Sequence, residues 1–73
     1  SGLTFQADEN VLWTLSDNTG KIYKLETDGT LLQTFDVGGE DLEGIVFDET
    51  DGTLWVVEEG NRKLIHLSPN GDF

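Results

Sequence analysis

The sequence contains no cysteine, which excludes disulfide bonds and thiolate metal sites. Cations are also scarce, with 4 Lys and Arg against 15 Asp and Glu and a formal net charge of −11. Because nucleic acids and anionic membranes are bound through basic surfaces, this balance argues against both partners. No apolar run approaches transmembrane length, and no window shows the period of about 3.6 residues that marks an amphipathic helix. What remains is an acidic chain of β-type segments.

The chain is short for a stable, independent domain. With 73 residues it forms one small domain at most, whose core alone contributes roughly 3–5 kcal/mol. Further stability has to come from an oxygen-ligated metal, from association, or from the rest of a longer protein. The chain begins Ser1-Gly2-Leu3, with neither an initiator methionine nor a signal peptide. We therefore expect a processed product or an excised piece.

The sequence repeats itself with a period of 42 residues, the distance between Trp13 and Trp55. Two copies align without a gap, and the identical pairs are Gly2 and Gly44, Phe5 and Phe47, Leu12 and Leu54, Trp13 and Trp55, Lys21 and Lys63, Leu25 and Leu67, and Gly29 and Gly71. Repeats of about 40–50 residues built from short strands are typical of β-propeller blades.

The first copy predicts four antiparallel strands separated by turns rich in Gly, Asn and Asp. The second copy repeats three of them and stops at Asp72-Phe73, where a fourth would begin. The predicted fold is therefore all-β: two antiparallel four-stranded propeller blades, repeat 1 over 1–43 and repeat 2 over 44–73, the second lacking most of its outer strand. The turn residues agree between copies, since Asn10 aligns with Gly52 and Asn18 with Gly60, all tolerant of left-handed backbone.

A β-sandwich or a small meander is the alternative fold. A sandwich needs polar outward positions alternating along its central strands, and the segments 11–15 and 54–57 do not offer them cleanly. A sheet that is apolar on both faces instead needs a neighbour on each, as in a propeller. The matched residues Trp13 and Trp55 are then expected in the blade core.

Four phrases carry a resemblance to a known family: Ser1-Gly2-Leu3-Thr4-Phe5, Leu12-Trp13-Thr14-Leu15-Ser16-Asp17, Asp41-Leu42-Glu43-Gly44-Ile45 and Thr53-Leu54-Trp55-Val56-Val57. They resemble blades of the SdiA-regulated propeller family and, more distantly, NHL-repeat and gluconolactonase-like six-bladed propellers. The resemblance spans nearly the whole chain but only about a third of a complete propeller. It implies an exported bacterial protein, periplasmic or secreted. The expected partners are the missing blades of a parent chain or copies of this chain, three of which would give six blades.

Ligands of propellers usually bind at the rim formed by the connections between the second and third strands and between successive blades. The candidate residues on this rim are Asp17, Asn18, Asp41, Glu58, Glu59 and Asn61. Acids are divided almost evenly between the two rims, so most of this charge is expected to be solvated surface. Gluconolactonase-like relatives hold a divalent cation with a Glu that precedes Gly, and Glu43 before Gly44 matches that fragment. Glu43 is thus a candidate Ca²⁺ ligand, or else an acceptor for backbone N–H groups.

Catalytic patterns are weak. The single histidine, His66, aligns with Lys24 and is expected at the surface, and no serine has a histidine nearby in a motif. Residues 48–52 are expected to form a turn, because they lack the alternating carboxylates of a calcium loop. We therefore expect a non-catalytic propeller module for ligand binding or assembly. The alternative is part of a divalent-metal-dependent hydrolase of the lactonase or phosphoesterase type.

Overall fold

The computed structural model describes residues 2–16, 19–38, 41–60 and 62–68, and within these ranges the chain forms seven β-strands and no helix. The strands are β1 (Leu3–Gln6), β2 (Val11–Leu15), β3 (Lys21–Glu26), β4 (Leu31–Asp36), β5 (Leu42–Asp48), β6 (Thr53–Glu58) and β7 (Lys63–Leu67). Strands β1 to β4 form one antiparallel sheet and β5 to β7 a second, each strand pairing with the next along the chain.

These two sheets confirm the predicted all-β fold of antiparallel blades, and we call them blade 1 and blade 2. Strand β5 begins at Leu42, two residues before the predicted start at Gly44. The pairing of β5 with β6 shifts register between Leu42 and Gly44, so one extra residue is accommodated there. The predicted fourth strand of the second copy lies outside the described residues.

The 42-residue repeat is preserved in the strand register. In blade 1, Trp13 lies opposite Thr4 on β1 and Lys24 on β3. In blade 2, Trp55 lies opposite Val46 on β5 and His66 on β7. Because residues directly opposite each other project from the same side of a sheet, each blade has a Trp face, which carries Trp13 or Trp55. The other side, which carries Phe5 or Phe47, is its back face.

The core is the contact between the Trp face of blade 1 and the back face of blade 2. Alternate residues of the central strands are buried, as expected for a sheet with one covered face. The buried residues are Val11, Trp13, Leu15, Ile22 and Val37 from the first copy, and Leu42, Ile45, Phe47, Leu54, Val56 and Leu67 from the second. The two blades therefore share one hydrophobic core.

The two tryptophans occupy equivalent sheet positions but different environments. Trp13 is 0% exposed beneath blade 2, whereas Trp55 is only partly buried. The expectation that both lie in the blade core is therefore correct for Trp13 and wrong for Trp55. The physical reason is that nothing in the described part of the chain packs over the Trp face of blade 2.

Strands β1 and β5 approach each other closely at Gly2. A Cβ atom added to Gly2 would lie 3.1 Å from the backbone nitrogen of Ile45 and 3.2 Å from the Cα of Gly44, tighter than ordinary contacts. Nearby, the backbone N–H of Phe47 donates a hydrogen bond of 3.1 Å to Thr4 Oγ1. The missing side chain at Gly2 thus lets the backbones of β1 and β5, the first strands of the two blades, pack directly against each other.

Left-handed backbone also recurs at equivalent turn positions. Asn10 and Gly52 have φ of 56° and 71°, and Gly20 and Arg62 have φ of 67° and 54°. The alignment of Asn10 with Gly52 therefore marks a shared left-handed position. In the other predicted pair, Asn18 lies outside the described residues.

Arg62 generates a stability prediction, because a long side chain is unfavourable in the left-handed region by about 1–2 kcal/mol. The substitution Arg62→Gly removes that strain, partly offset by the greater freedom of glycine in the unfolded chain. We expect a gain of about 0.5–1 kcal/mol in the free energy of unfolding, measured by urea denaturation. Arg62→Ala, which removes the same charge but keeps a Cβ, is the control, and an equal gain there would contradict the backbone explanation.

Candidate functional site

The predicted rim residues are partly brought together. Asp41, Glu58 and Glu59 lie at one edge of blade 2, where the backbone N–H of Glu59 donates to the Asp41 carbonyl oxygen at 3.1 Å and Glu58 pairs with Leu42. Asp41 and Glu59 are exposed, whereas Glu58 is 5% exposed. The other three rim candidates, Asp17, Asn18 and Asn61, lie outside the described residues.

Glu43 is exposed on β5, at the point where the register with β6 shifts. Among the residues that the structure describes, no group of three His, Cys, Asp or Glu side chains is arranged to hold a metal ion. A Ca²⁺ site at Glu43 and a metal-dependent hydrolase both stay predictions. A cleft of about 290 Å³ lies at the other rim and is lined by Ala7, Asp8, Phe47, Glu49 and Gly52.

Each Trp is the centre of a polar cluster that was not anticipated from the sequence. In blade 1, the Trp13 indole N–H donates to Gln6 Oε1 at 2.9 Å. The Lys24 ammonium lies 5.6 Å from the centre of the Trp13 ring and forms a 2.9 Å ion pair with Glu9. Its charge is thus matched by both a carboxylate and the aromatic face.

The same cluster recurs in blade 2 with different chemistry. The His66 ring stacks on Trp55, with centroids 3.8 Å apart and an interplanar angle of 4°. His66 Nε2 lies 2.8 Å from Thr53 Oγ1, which lies 2.5 Å from Asp51 Oδ1. When the Thr53 hydroxyl donates to Asp51, its oxygen accepts the N–H of His66. Thr53 thus links His66 to the acid, whereas Lys24 contacts Glu9 directly.

Asp48 takes the place of Gln6 in the second cluster, 42 positions later. Hydrogen bonds from the Thr50 hydroxyl and the Thr50 backbone N–H, in that order, hold the pKa of Asp48 below its usual value of 3.8, and Trp55 and His66 contribute further in the same direction. Residues 48–52 form a turn through these bonds, as expected. Four residues of the first cluster thus have counterparts 42 positions later in the second: Gln6 and Asp48, Glu9 and Asp51, Trp13 and Trp55, and Lys24 and His66.

Two apolar sheet faces are left uncovered by the described part of the chain. On the Trp face of blade 2 the exposed apolar residues are Val46, Val57 and Leu64; on the back face of blade 1 they include Leu3 and Phe5. Their exposed fractions run from 44% at Val57 to 63% at Leu3. These two faces are therefore the candidate interaction surfaces of the described chain.

The residues on the open back face of blade 1 match those that are buried in blade 2. Leu3, Phe5, Leu12 and Leu25 stand 42 positions before Ile45, Phe47, Leu54 and Leu67. The second set is buried against blade 1, with exposures of 5%, 8%, 0% and 1%. The open face therefore has the side chains of a blade-stacking surface.

Two antiparallel sheets that stack Trp face on back face with the same register are consecutive blades of a β-propeller. The SdiA-regulated family model matches residues 1–68, and the chain belongs to this family. This confirms the family predicted from the four phrases of the sequence. A search of curated proteins finds no match. Within the described ranges, no helix is long and apolar enough to cross a membrane.

The lowered pKa of Asp48 predicts an acid-sensitive contribution to stability. A carboxyl whose pKa is lower in the folded state stabilises the fold above its unfolded value of 3.8 and loses that contribution as the pH falls through the folded pKa. The stability is measured as the urea midpoint of unfolding at about pH 5 and about pH 2.5. We expect Asp48→Asn to reduce the loss of stability between these two pH values. Asp8→Asn, in the equivalent region of blade 1, removes the same charge and is the control; equal flattening by both would contradict a specific role for Asp48.

The Glu43 prediction is tested by melting in the presence of calcium. If Glu43 is a metal ligand, excess Ca²⁺ raises the melting temperature of the parent protein, because a ligand that binds only the folded state stabilises it. Glu43→Gln is expected to abolish that rise, and Glu49→Gln, which removes an acid from the opposite rim, to preserve it. A parent melting temperature that is equal in Ca²⁺ and in chelator would assign Glu43 to backbone hydrogen bonding.

Proposed function

We propose that this protein is a non-catalytic β-propeller module for assembly, whose two open faces bind further blades of the same repeat. Such blades come either from copies of the chain, three of which would supply six, or from the missing blades of a parent chain. The observation that carries the proposal is the glycine at position 44.

Within the described residues, no contact and no backbone angle requires glycine at position 44. A Cβ atom built there would meet nothing within 4 Å, and its backbone is not left-handed. Its counterpart Gly2, by contrast, is pressed against the backbone of β5. A glycine in the interior of a strand marks a bulge, a bend or a site where another backbone approaches closely. Gly44 lies beside the register shift of β5, but because its φ is not positive, an ordinary residue could adopt the same backbone there. The repeat thus supports an innermost strand of a further blade approaching Gly44 as β5 approaches Gly2.

The apolar side chains on the open faces supply the driving force. Full burial of one Leu, Val or Phe side chain contributes about 1.5–3 kcal/mol, and each open face carries several that are exposed by 44% or more. For a chain of 73 residues without disulfides, whose own core is small, covering these faces is a large addition to stability.

The proposal predicts that covalently joined copies stabilise one another. Three copies are joined so that the 42-residue spacing of the repeat continues across each junction. We expect this tandem protein to melt at a higher temperature than the single chain and to bind less of a hydrophobic dye per copy, because Trp faces are covered at the junctions. The melting temperature is measured by thermal denaturation, and dye binding by the fluorescence of the dye.

The control is the same tandem protein with Gly44→Val at both junctions, which fills the space reserved for the next strand. It is expected to return towards the melting temperature and dye binding of the single chain. A tandem protein that behaves as independent units, with melting and dye binding per copy unchanged, would contradict the proposed function.

A further inference from the structure

We propose that a second copy of this chain docks head to tail, placing the back face of its blade 1 on the Trp face of blade 2. This inference rests on the proposed function, because it names the partner of the same open faces. The chain itself supplies the template for the contact: its internal interface joins a Trp face to a back face, and both open surfaces are the 42-residue counterparts of the two surfaces already joined.

Apolar contacts of the template are reproduced in the proposed interface. Leu3, Phe5 and Leu12 of the second copy take the places that Ile45, Phe47 and Leu54 occupy against blade 1. On the receiving side, Trp55 takes the place of Trp13, and Gly44 takes the place of Gly2. The backbone of the second copy at Gly2 and Leu3 then lies where the backbone of Gly44 and Ile45 lies in the template.

The polar cluster on the receiving face is compatible with being covered. In the template, Trp13 is 0% exposed although Lys24 lies beside it, because the ammonium pairs with Glu9 and the pair stays at the margin, with side-chain exposures of 17% and 48%. In blade 2, His66 contacts Thr53, and Thr53 contacts Asp51. Since buried polar groups cost little when they are hydrogen-bonded, docking over Trp55 leaves His66 and Thr53 with their partners.

One contact of the template is missing. Inside the chain, Thr4 Oγ1 accepts the backbone N–H of Phe47. Its counterpart on the receiving face is Val46, which offers no oxygen to the backbone N–H of Phe5 of the second copy. The contact between copies is therefore weaker than the internal one, and Val46→Thr restores the acceptor.

The two docking surfaces are different, so the association is heterologous and leads to a ring or an open chain of copies. The net charge of −11 opposes association. Because salt at about 0.15 M screens charges beyond roughly 8 Å, association is expected to strengthen as salt is added.

The experiment uses two variants that each disable one surface. Gly44→Val fills the receiving face and, with nothing within 4 Å of its Cβ, leaves the isolated chain undisturbed. Leu3→Asp places a charge on the back face at a residue that is 63% exposed. The mass of the particles is measured by analytical ultracentrifugation over a range of protein concentrations, with circular dichroism to verify that each variant is folded.

We expect the parent to associate and each variant alone to remain a monomer. An equimolar mixture of the two variants is expected to form a one-to-one dimer, because one variant retains the receiving face and the other retains the back face. The controls are Gln33→Val, which adds an apolar side chain on β4, and Thr27→Asp, which adds a charge at a turn. Both are expected to associate like the parent, and Val46→Thr to lower the Kd about five-fold.

Three results would overturn the proposal: a parent that is monomeric at every concentration and salt, a mixture of variants that fails to dimerise, or association that is insensitive to both variants. If the parent is monomeric while the tandem protein is stabilised, the faces bind blades only within one chain, and the proposed function stands without self-association. If the tandem protein gains nothing, the proposed function fails as well.

Discussion

The close approach of the two innermost strands at Gly2 is the constraint on which the rest of the structure depends. With no side chain at Gly2, β1 packs against the backbone of Gly44 and Ile45, and the Thr4 hydroxyl receives the N–H of Phe47. This spacing brings the Trp face of blade 1 onto the back face of blade 2, and it buries Trp13 and Leu54 completely. Side-chain packing between the blades is therefore set by a backbone contact.

Much of the fold was predictable because the sequence repeat shows each strand and turn pattern twice, at matching positions. The alternation of apolar segments with turn residues located all seven strands, and the alignment of Trp13 with Trp55 fixed the register that both blades share. The start of β5 at Leu42 was missed, because the register shift beside Gly44 is a response to the neighbouring strand. Position 62 was missed as a left-handed site because an arginine gives no propensity signal there.

The polar clusters could not be found by reading motifs along the chain. Glu9 and Lys24 are distant in sequence and meet only across strands, as do Thr53 and His66. The signal was present in the repeat, since both sets align at 42 residues, but their members differ in chemistry: Gln6 corresponds to Asp48, and Lys24 to His66. Only the shared register of the two sheets shows that these residues occupy equivalent positions beside Trp13 and Trp55. The fate of Trp55 was missed for a different reason, because burial depends on a neighbour and not on the residue itself.

The likeness between the internal contact of the two blades and the proposed contact between copies also bears on how the chain folds. Because blade 2 is the same in every copy, we expect the Trp face of blade 1 to accept blade 2 of its own chain or blade 2 of another. At high concentration during refolding, we expect such exchange to give domain-swapped species in which each core is complete but its two blades come from different molecules. The Thr4 hydroxyl does not prevent this, since Phe47 of any copy satisfies it. Thr4 corresponds to Val46 in the second repeat, so only the Trp face of blade 1 offers an oxygen to a docked backbone N–H. We therefore expect exchanged blades to pair there rather than on the Trp face of blade 2.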